Sequence, residues 1–363
     1  MKHLKPLIKI ELKTALLMSI FFWGVSIFTV VTLNNYSQQF IYNNLMWGMD
    51  GFNVPSGQGA QSFQIYEWGN MFNHCIDLSK YIMAIGILLL IYLSYRYDKN
   101  HEVGRFIKTL PYTTEQKYWV KIGVGIISFT IPYIVQSIVI VLLRKYFILQ
   151  MKDFYEVTNL SSIFVNLYEL KQLLLVLTLT YLELIVWYLF VVMFQYIIMS
   201  NFGSIIGASI IAIAPIIIRE NIHRFFSYTG RLYWKYIRLY DFLSGNRGDR
   251  AFITNRGTGI IEYINFGETR LVVLFIMILI LLILTLYLCK EMYIENEDVL
   301  VPRRVFKYMY LIVTPIVCSL LLGSLYKCYT GKGDIWFWLV TFIGGVLGFF
   351  LSKMIMGTKK VLN

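Results

Sequence analysis

Residues 96–125, RYDKNHEVGRFIKTLPYTTEQKYWVKIGVG, form a polar interlude between two apolar runs. Val103, Phe106, Ile107 and Leu110 fall at i, i+3, i+4 and i+7, the spacing that puts four side chains on one helical face. Arg105 and Lys108 fall on the other side. Pro111 ends that helix, because its ring removes a donor and clashes with the preceding turn. A second helix is predicted to start at once. Thr113 and Gln116 have the T-x-x-Q spacing of a capping box, and Glu115 suits the positive end of the helix dipole. It runs through Tyr118, Trp119 and Lys121 into apolar sequence. The pattern reads as a short amphipathic helix held just outside a membrane by two spans. Two roles fit it: a handle for a partner protein, or a basic helix lying flat on lipid headgroups.

Composition supports the membrane. Only 15% of the 363 residues are charged and 57% are hydrophobic, whereas a soluble domain carries about a quarter charged residues. A net charge of +12 would suggest nucleic acid for a soluble protein. Here it places lysines and arginines at anionic headgroups, so membrane lipids are the expected partner and nucleic acid is not. The four cysteines show neither C-x-x-C nor zinc-ligand spacing, and the four histidines are scattered, so no metal is expected.

The apolar runs predict an all-α, polytopic membrane protein with about eight transmembrane helices, a single transmembrane domain over 1–363. The predicted spans are 14–33, 78–97, 122–143, 172–200, 203–218 (sixteen residues, which span thinly or turn back), 271–289, 308–326 and 335–352, the last two forming a C-terminal hairpin over 308–352. Asn34 to Ser79 contains no Lys or Arg, whereas Met1 to Lys13 has four and Arg96 to Lys121 has six. By the positive-inside rule the N-terminus and the 96–121 segment are cytoplasmic, and with eight spans the C-terminus is too. Asn34 to Ser79 is then an outer loop, read as a folded cap or interfacial turns.

Two further segments carry surface signals. In residues 1–13, Lys2, Lys5, Lys9 and Lys13 share a narrow helical sector with Leu4, Leu7 and Ile8 roughly opposite. That suits an interfacial helix with lysines at phosphates; a simple positive flank explains the charges equally well. Residues 219–270 hold nine basic residues, and Arg231, Lys235 and Arg238 line one helical face of what reads as an interfacial or re-entrant loop.

The run E-x-G-R-F-I-K-T-L-P-Y-T-T, with a Lys entering the next span, resembles the cytoplasmic segment after the second span of type-2 ABC exporter permeases. The matching residues are Glu102, Gly104, Leu110, Pro111, Thr113 and Lys121, while Thr114 stands where the family often has Arg. The resemblance implies a six-helix exporter core with the C-terminal hairpin as an addition. It implies that 96–121 couples to an ATPase through Glu102, Val103, Gly104, Phe106, Ile107, Leu110, Pro111, Thr113 and Lys121. It further implies two ABC ATPase subunits, a second permease chain (the same or a sister), outward transport and a plasma-membrane location. The chain has no G-x-x-x-x-G-K-[ST], since Gly331-Lys332 has Tyr326 where the first Gly belongs. ATP and Mg would therefore sit on the partner, with no cofactor in this chain.

Enzymatic readings find no constellation: there is no H-E-x-x-H and no G-x-S-x-G. Glu183 is the one carboxylate deep in an apolar run. It either lines a substrate path or carries a proton, or it is neutralised at a helix contact. Gln136 and Gln195 divide the same way between substrate contact and interhelical glue. The rival function is a proton-coupled carrier or channel, free of any ATPase, with Glu183 as its ionisable group.

Overall fold

The computed structural model describes residues 5–49, 58–96, 98–99, 112–157, 170–198, 201–212, 252–254, 261–263, 267–292, 304–330 and 335–356. Among them are eight α-helices: α1 Lys5–Met49, α2 Gln58–Tyr95, α3 Thr114–Val157, α4 Leu170–Ile197, α5 Asn201–Ala212, α6 Gly267–Met292, α7 Arg304–Thr330 and α8 Ile335–Met356. Six contain a stretch long and apolar enough to cross a bilayer: Lys5–Gln39, His74–Tyr95, Thr114–Gln150, Leu173–Ile197, Arg270–Lys290 and Trp336–Lys353. At 1.5 Å per residue a 21-residue stretch reaches about 31 Å, the thickness of a hydrocarbon core. Large apolar side chains stand exposed along these stretches, among them Ile20, Ile283 and Phe342. In water such exposure would be costly; in lipid it costs nothing. The architecture is that of a polytopic all-α membrane protein.

Several helices outrun their apolar stretches. α1 is one unbroken helix of 45 residues, so residues 5–13 continue directly into the first span and residues 34–49 prolong it at the far end. α2 is already helical from Gln58, and α3 continues to Val157. The described parts of the expected outer cap over 34–79 are thus helical extensions rather than interfacial turns. No glycine or proline interrupts 34–47 or 144–157, so nothing stops the backbone hydrogen-bond ladder at the lipid boundary. In the segment read as an interfacial loop, β1 Phe252–Thr254 pairs antiparallel with β2 Ile261–Tyr263, with Phe252 opposite Tyr263.

The chain divides into two compact units. One comprises Met1–Leu90, Val120–Trp187 and Asn246–Ile278; the other comprises Ile91–Trp119, Tyr188–Gly245 and Leu279–Asn363. Lipid tails are as apolar as leucine, so within each unit close packing and polar contacts, more than hydrophobic burial, decide which helices meet. In the first unit Phe22 of α1 and Phe129 of α3 are fully buried and meet edge to face, ring centroids 6.0 Å apart. Ser26 Oγ donates to the Pro132 carbonyl at 3.2 Å. Leu179 and Leu182 of α4 pack with Leu274 of α6. In the second unit α7 and α8 form the expected C-terminal hairpin. A Cβ on Gly344 would lie 2.7 Å from the Cys318 carbonyl, and one on Gly348 2.7 Å from Pro315 Cα. The Gly-x-x-x-Gly spacing therefore marks the face on which the two backbones touch.

Candidate functional site

Glu183 lies near the middle of α4, a helix apolar on all sides. A lone carboxylate there would be costly, so the question is what compensates it. Arg270 Nη2 donates to its Oε1 at 2.7 Å and Lys80 Nζ donates to its Oε2 at 3.0 Å. Lys80 Nζ also stands 3.4 Å from Asp77 Oδ1, three residues earlier on α2. Two cations and two anions from α2, α4 and α6 thus form one cluster without net charge. Arg270 is buried, 5% of its side chain exposed; Lys80 and Glu183 keep 17% and 18%, and Asp77 keeps 32%. The cluster is open at its Asp77 edge and closed behind Arg270.

Neutral contacts brace it. Ser79, beside Lys80, exchanges hydrogen bonds with Gln136: Gln136 Nε2 donates to Ser79 Oγ at 3.0 Å, and Ser79 Oγ lies 3.3 Å from Gln136 Oε1. Trp187 Nε1, one turn beyond Glu183, donates to the Ala84 carbonyl of α2 at 3.2 Å. Gln136 is therefore spent on holding α3 against α2. Gln195 differs: it is fully buried and neither amide atom has a hydrogen-bond partner among the described residues. Between α3 and α4 an apolar groove of about 380 Å³ is lined by Tyr133, Ile138, Leu142, Leu177 and Tyr181, with the two tyrosine rings stacked 5.6 Å apart.

The second cluster flanks the segment 96–113. Thr113 and Gln116 form the capping box in full: the Gln116 N–H donates to Thr113 Oγ1 at 3.2 Å and the Thr113 N–H to Gln116 Oε1 at 3.1 Å. Glu115 pairs with Lys290 of α6 at 2.5 Å. Tyr118 donates to the Leu282 carbonyl at 3.0 Å and meets Thr285 Oγ1 at 2.6 Å. On the α2 side, Tyr95 and Tyr196 hydroxyls lie 3.2 Å apart, Lys99 Nζ donates to the Ile198 carbonyl at 2.5 Å, and Asn201 Nδ2 donates to the Tyr92 carbonyl at 2.8 Å. Both ends of the segment are thus fastened to neighbouring helices.

Lys121 is buried, its Nζ 3.4 Å from Glu11 Oε1 of α1, so it joins two helices. Lys5, Lys9 and Lys13 are exposed on α1. Lys2, Glu102, Val103, Gly104, Phe106, Ile107, Leu110, Pro111, Arg231, Lys235 and Arg238 lie outside the described residues. Among the described residues no three His, Cys, Asp or Glu side chains group closely enough to hold a metal ion.

Sequence reasoning missed Lys80 and Arg270 as partners of Glu183, and Asp77 as the second carboxylate beside Lys80. A signal existed: a carboxylate in mid-span demands a counter-charge, and Lys80 and Arg270 each stand at the edge of a long apolar run. No protein family, curated protein or solved structure matches this chain.

Proposed function

We propose that this chain is the membrane-spanning permease subunit of an ATP-driven ABC exporter, multi-pass in the plasma membrane with both termini cytoplasmic. Two ATPase subunits, carrying ATP and Mg, dock on the segment 96–121, and a second permease chain completes the path. The apolar row Val103, Phe106, Ile107 and Leu110 seats in a groove of the ATPase, in the manner of a helix in a groove. Closure of the ATPases on nucleotide draws the docked segments together and rocks the spans, a rigid-body population shift. The cargo is amphipathic, a peptide or lipid-like compound, which suits an apolar groove of about 380 Å³ on α3 and α4.

The observation that carries this reading is the fastening of both ends of the segment. Lys99 grips the end of α4, while Glu115 and Tyr118 grip α6. Displacement at the segment is therefore handed to helices beyond the two it connects. The rival reading, a proton-coupled carrier, loses support because each oxygen of Glu183 is engaged by a cation.

Co-purification in mild detergent tests the proposal. An ABC ATPase should remain bound to the wild type and be lost on Phe106→Asp or Leu110→Asp. A fully active transporter that retains no ATPase, yet is silenced by Glu183→Gln, would instead establish the carrier.

A further inference from the structure

We infer that the Asp77–Lys80–Glu183–Arg270 cluster is a binding site for an anionic group of the cargo, a phosphate or carboxylate, whose place Glu183 holds in this state. The inference deepens the transport reading by naming the chemistry of the cargo, while its test needs no ATPase.

The argument starts from unequal roles. Arg270 and Lys80 come from different helices, α6 and α2, and both converge on the one carboxylate of α4. Arg270 is nearly sealed from its surroundings, and a guanidinium so desolvated requires an anion at all times. Any rearrangement that withdraws α4 therefore leaves Arg270 and Lys80 with Asp77 alone beside them, one anion short of balance. A guanidinium fork with an ammonium beside it matches the oxygens of a phosphate or carboxylate. Access exists, since Lys80, Glu183 and Asp77 keep a fraction of their side chains exposed on one edge. Asp77 lies on that edge, 3.4 Å from Lys80, and opposes an incoming anion just as Glu183 does. Around the cluster, Ser79 and Gln136 satisfy one another and Trp187 is spent on a backbone carbonyl, so the free chemistry at this place is cationic once the carboxylates are gone.

Removing a competitor and removing a ligand should then act in opposite directions on binding that the wild-type chain already shows, whereas at a purely structural salt bridge the wild type would bind no such anion and Arg270→Gln would have nothing to weaken. The purified full chain in dodecyl maltoside is titrated with dodecyl phosphate, and in parallel with inorganic phosphate. Glu183→Gln should tighten dodecyl phosphate binding about tenfold and Asp77→Asn should tighten it less, while Arg270→Gln and Lys80→Gln should each weaken it about tenfold. Should Glu183→Gln fail to fold, Glu183→Asp, which shortens the reach of the carboxylate, must tighten binding in the same sense. A response confined to dodecyl phosphate identifies an amphipathic anion; an equal response to inorganic phosphate identifies a free oxyanion. Glu183 variants that bind no more tightly than wild type, or an Arg270→Gln chain that binds as well, would overturn the assignment.

Discussion

The amine of Lys121 lies 3.4 Å from Oε1 of Glu11, with only 6% and 11% of the two side chains exposed, and this pair joins the start of α1 to α3. A buried ion pair is poorly replaced one partner at a time. Lys121→Met or Glu11→Gln alone should therefore destabilise the chain by up to about 3–5 kcal/mol, because each removes one charge of a buried pair and leaves the other without this counter-charge. The combination Glu11→Leu with Lys121→Met should recover most of that loss. Thermal unfolding in detergent distinguishes this from a docking role for Lys121, under which the single variants would unfold like wild type.

Glu183 and Arg270 should show strong energetic coupling. A double-mutant cycle with Glu183→Ala and Arg270→Ala is expected to give an interaction energy of about 1–3 kcal/mol, since both act through one contact at 2.7 Å. Additive single effects would mean that the two side chains do not meet.

The C-terminal hairpin offers an internal control. Gly348→Ala would thrust a methyl to within 2.7 Å of Pro315 Cα and 2.8 Å of the Thr314 carbonyl, whereas a Cβ at the neighbouring Gly345 meets Ser319 Cβ at an ordinary 3.7 Å. Gly348→Ala should cost about 1–3 kcal/mol through overpacking, and Gly345→Ala should be neutral or stabilising as a better helix former. Protease sensitivity of α7 and α8 reads the difference. Equal behaviour of the two variants would contradict the backbone contact.

Thr113 closes the N-terminus of α3 by the reciprocal pair with Gln116. Thr113→Ala should cost about 1 kcal/mol and speed amide exchange over residues 114–117 roughly fivefold. Thr113→Ser, which keeps the hydroxyl, should exchange at the wild-type rate.

Much of this was legible beforehand, and the reasons differ by residue. The capping box was readable because Thr113 and Gln116 are three residues apart, so the pattern contains its own geometry. The C-terminal hairpin was readable from two apolar runs and a short connection. Its contact face was present in Gly344 and Gly348, but the spacing alone did not say which helix would fill it. The strand pair 252–263 went unread because Arg231, Lys235 and Arg238 suggested helical periodicity in the same segment, while each strand is only three residues long. The extensions of α1, α2 and α3 were missed because hydropathy marks where lipid ends, not where hydrogen bonds between backbone groups end.

By itself the amino-acid order determined the class of the protein, its succession of apolar helices and the cap that opens α3. Each depends on patterns repeating within a turn or along a run. The partners of Glu183 were settled by folding: Lys80 and Arg270 stand 103 and 87 residues away from it. The same holds for Glu11 with Lys121 and for Tyr118 with Thr285. Whether two helices bring such groups together depends on how each is rotated about its own axis and set in depth against the others. Packing of whole surfaces chooses both quantities, and no local repeat in the chain records them.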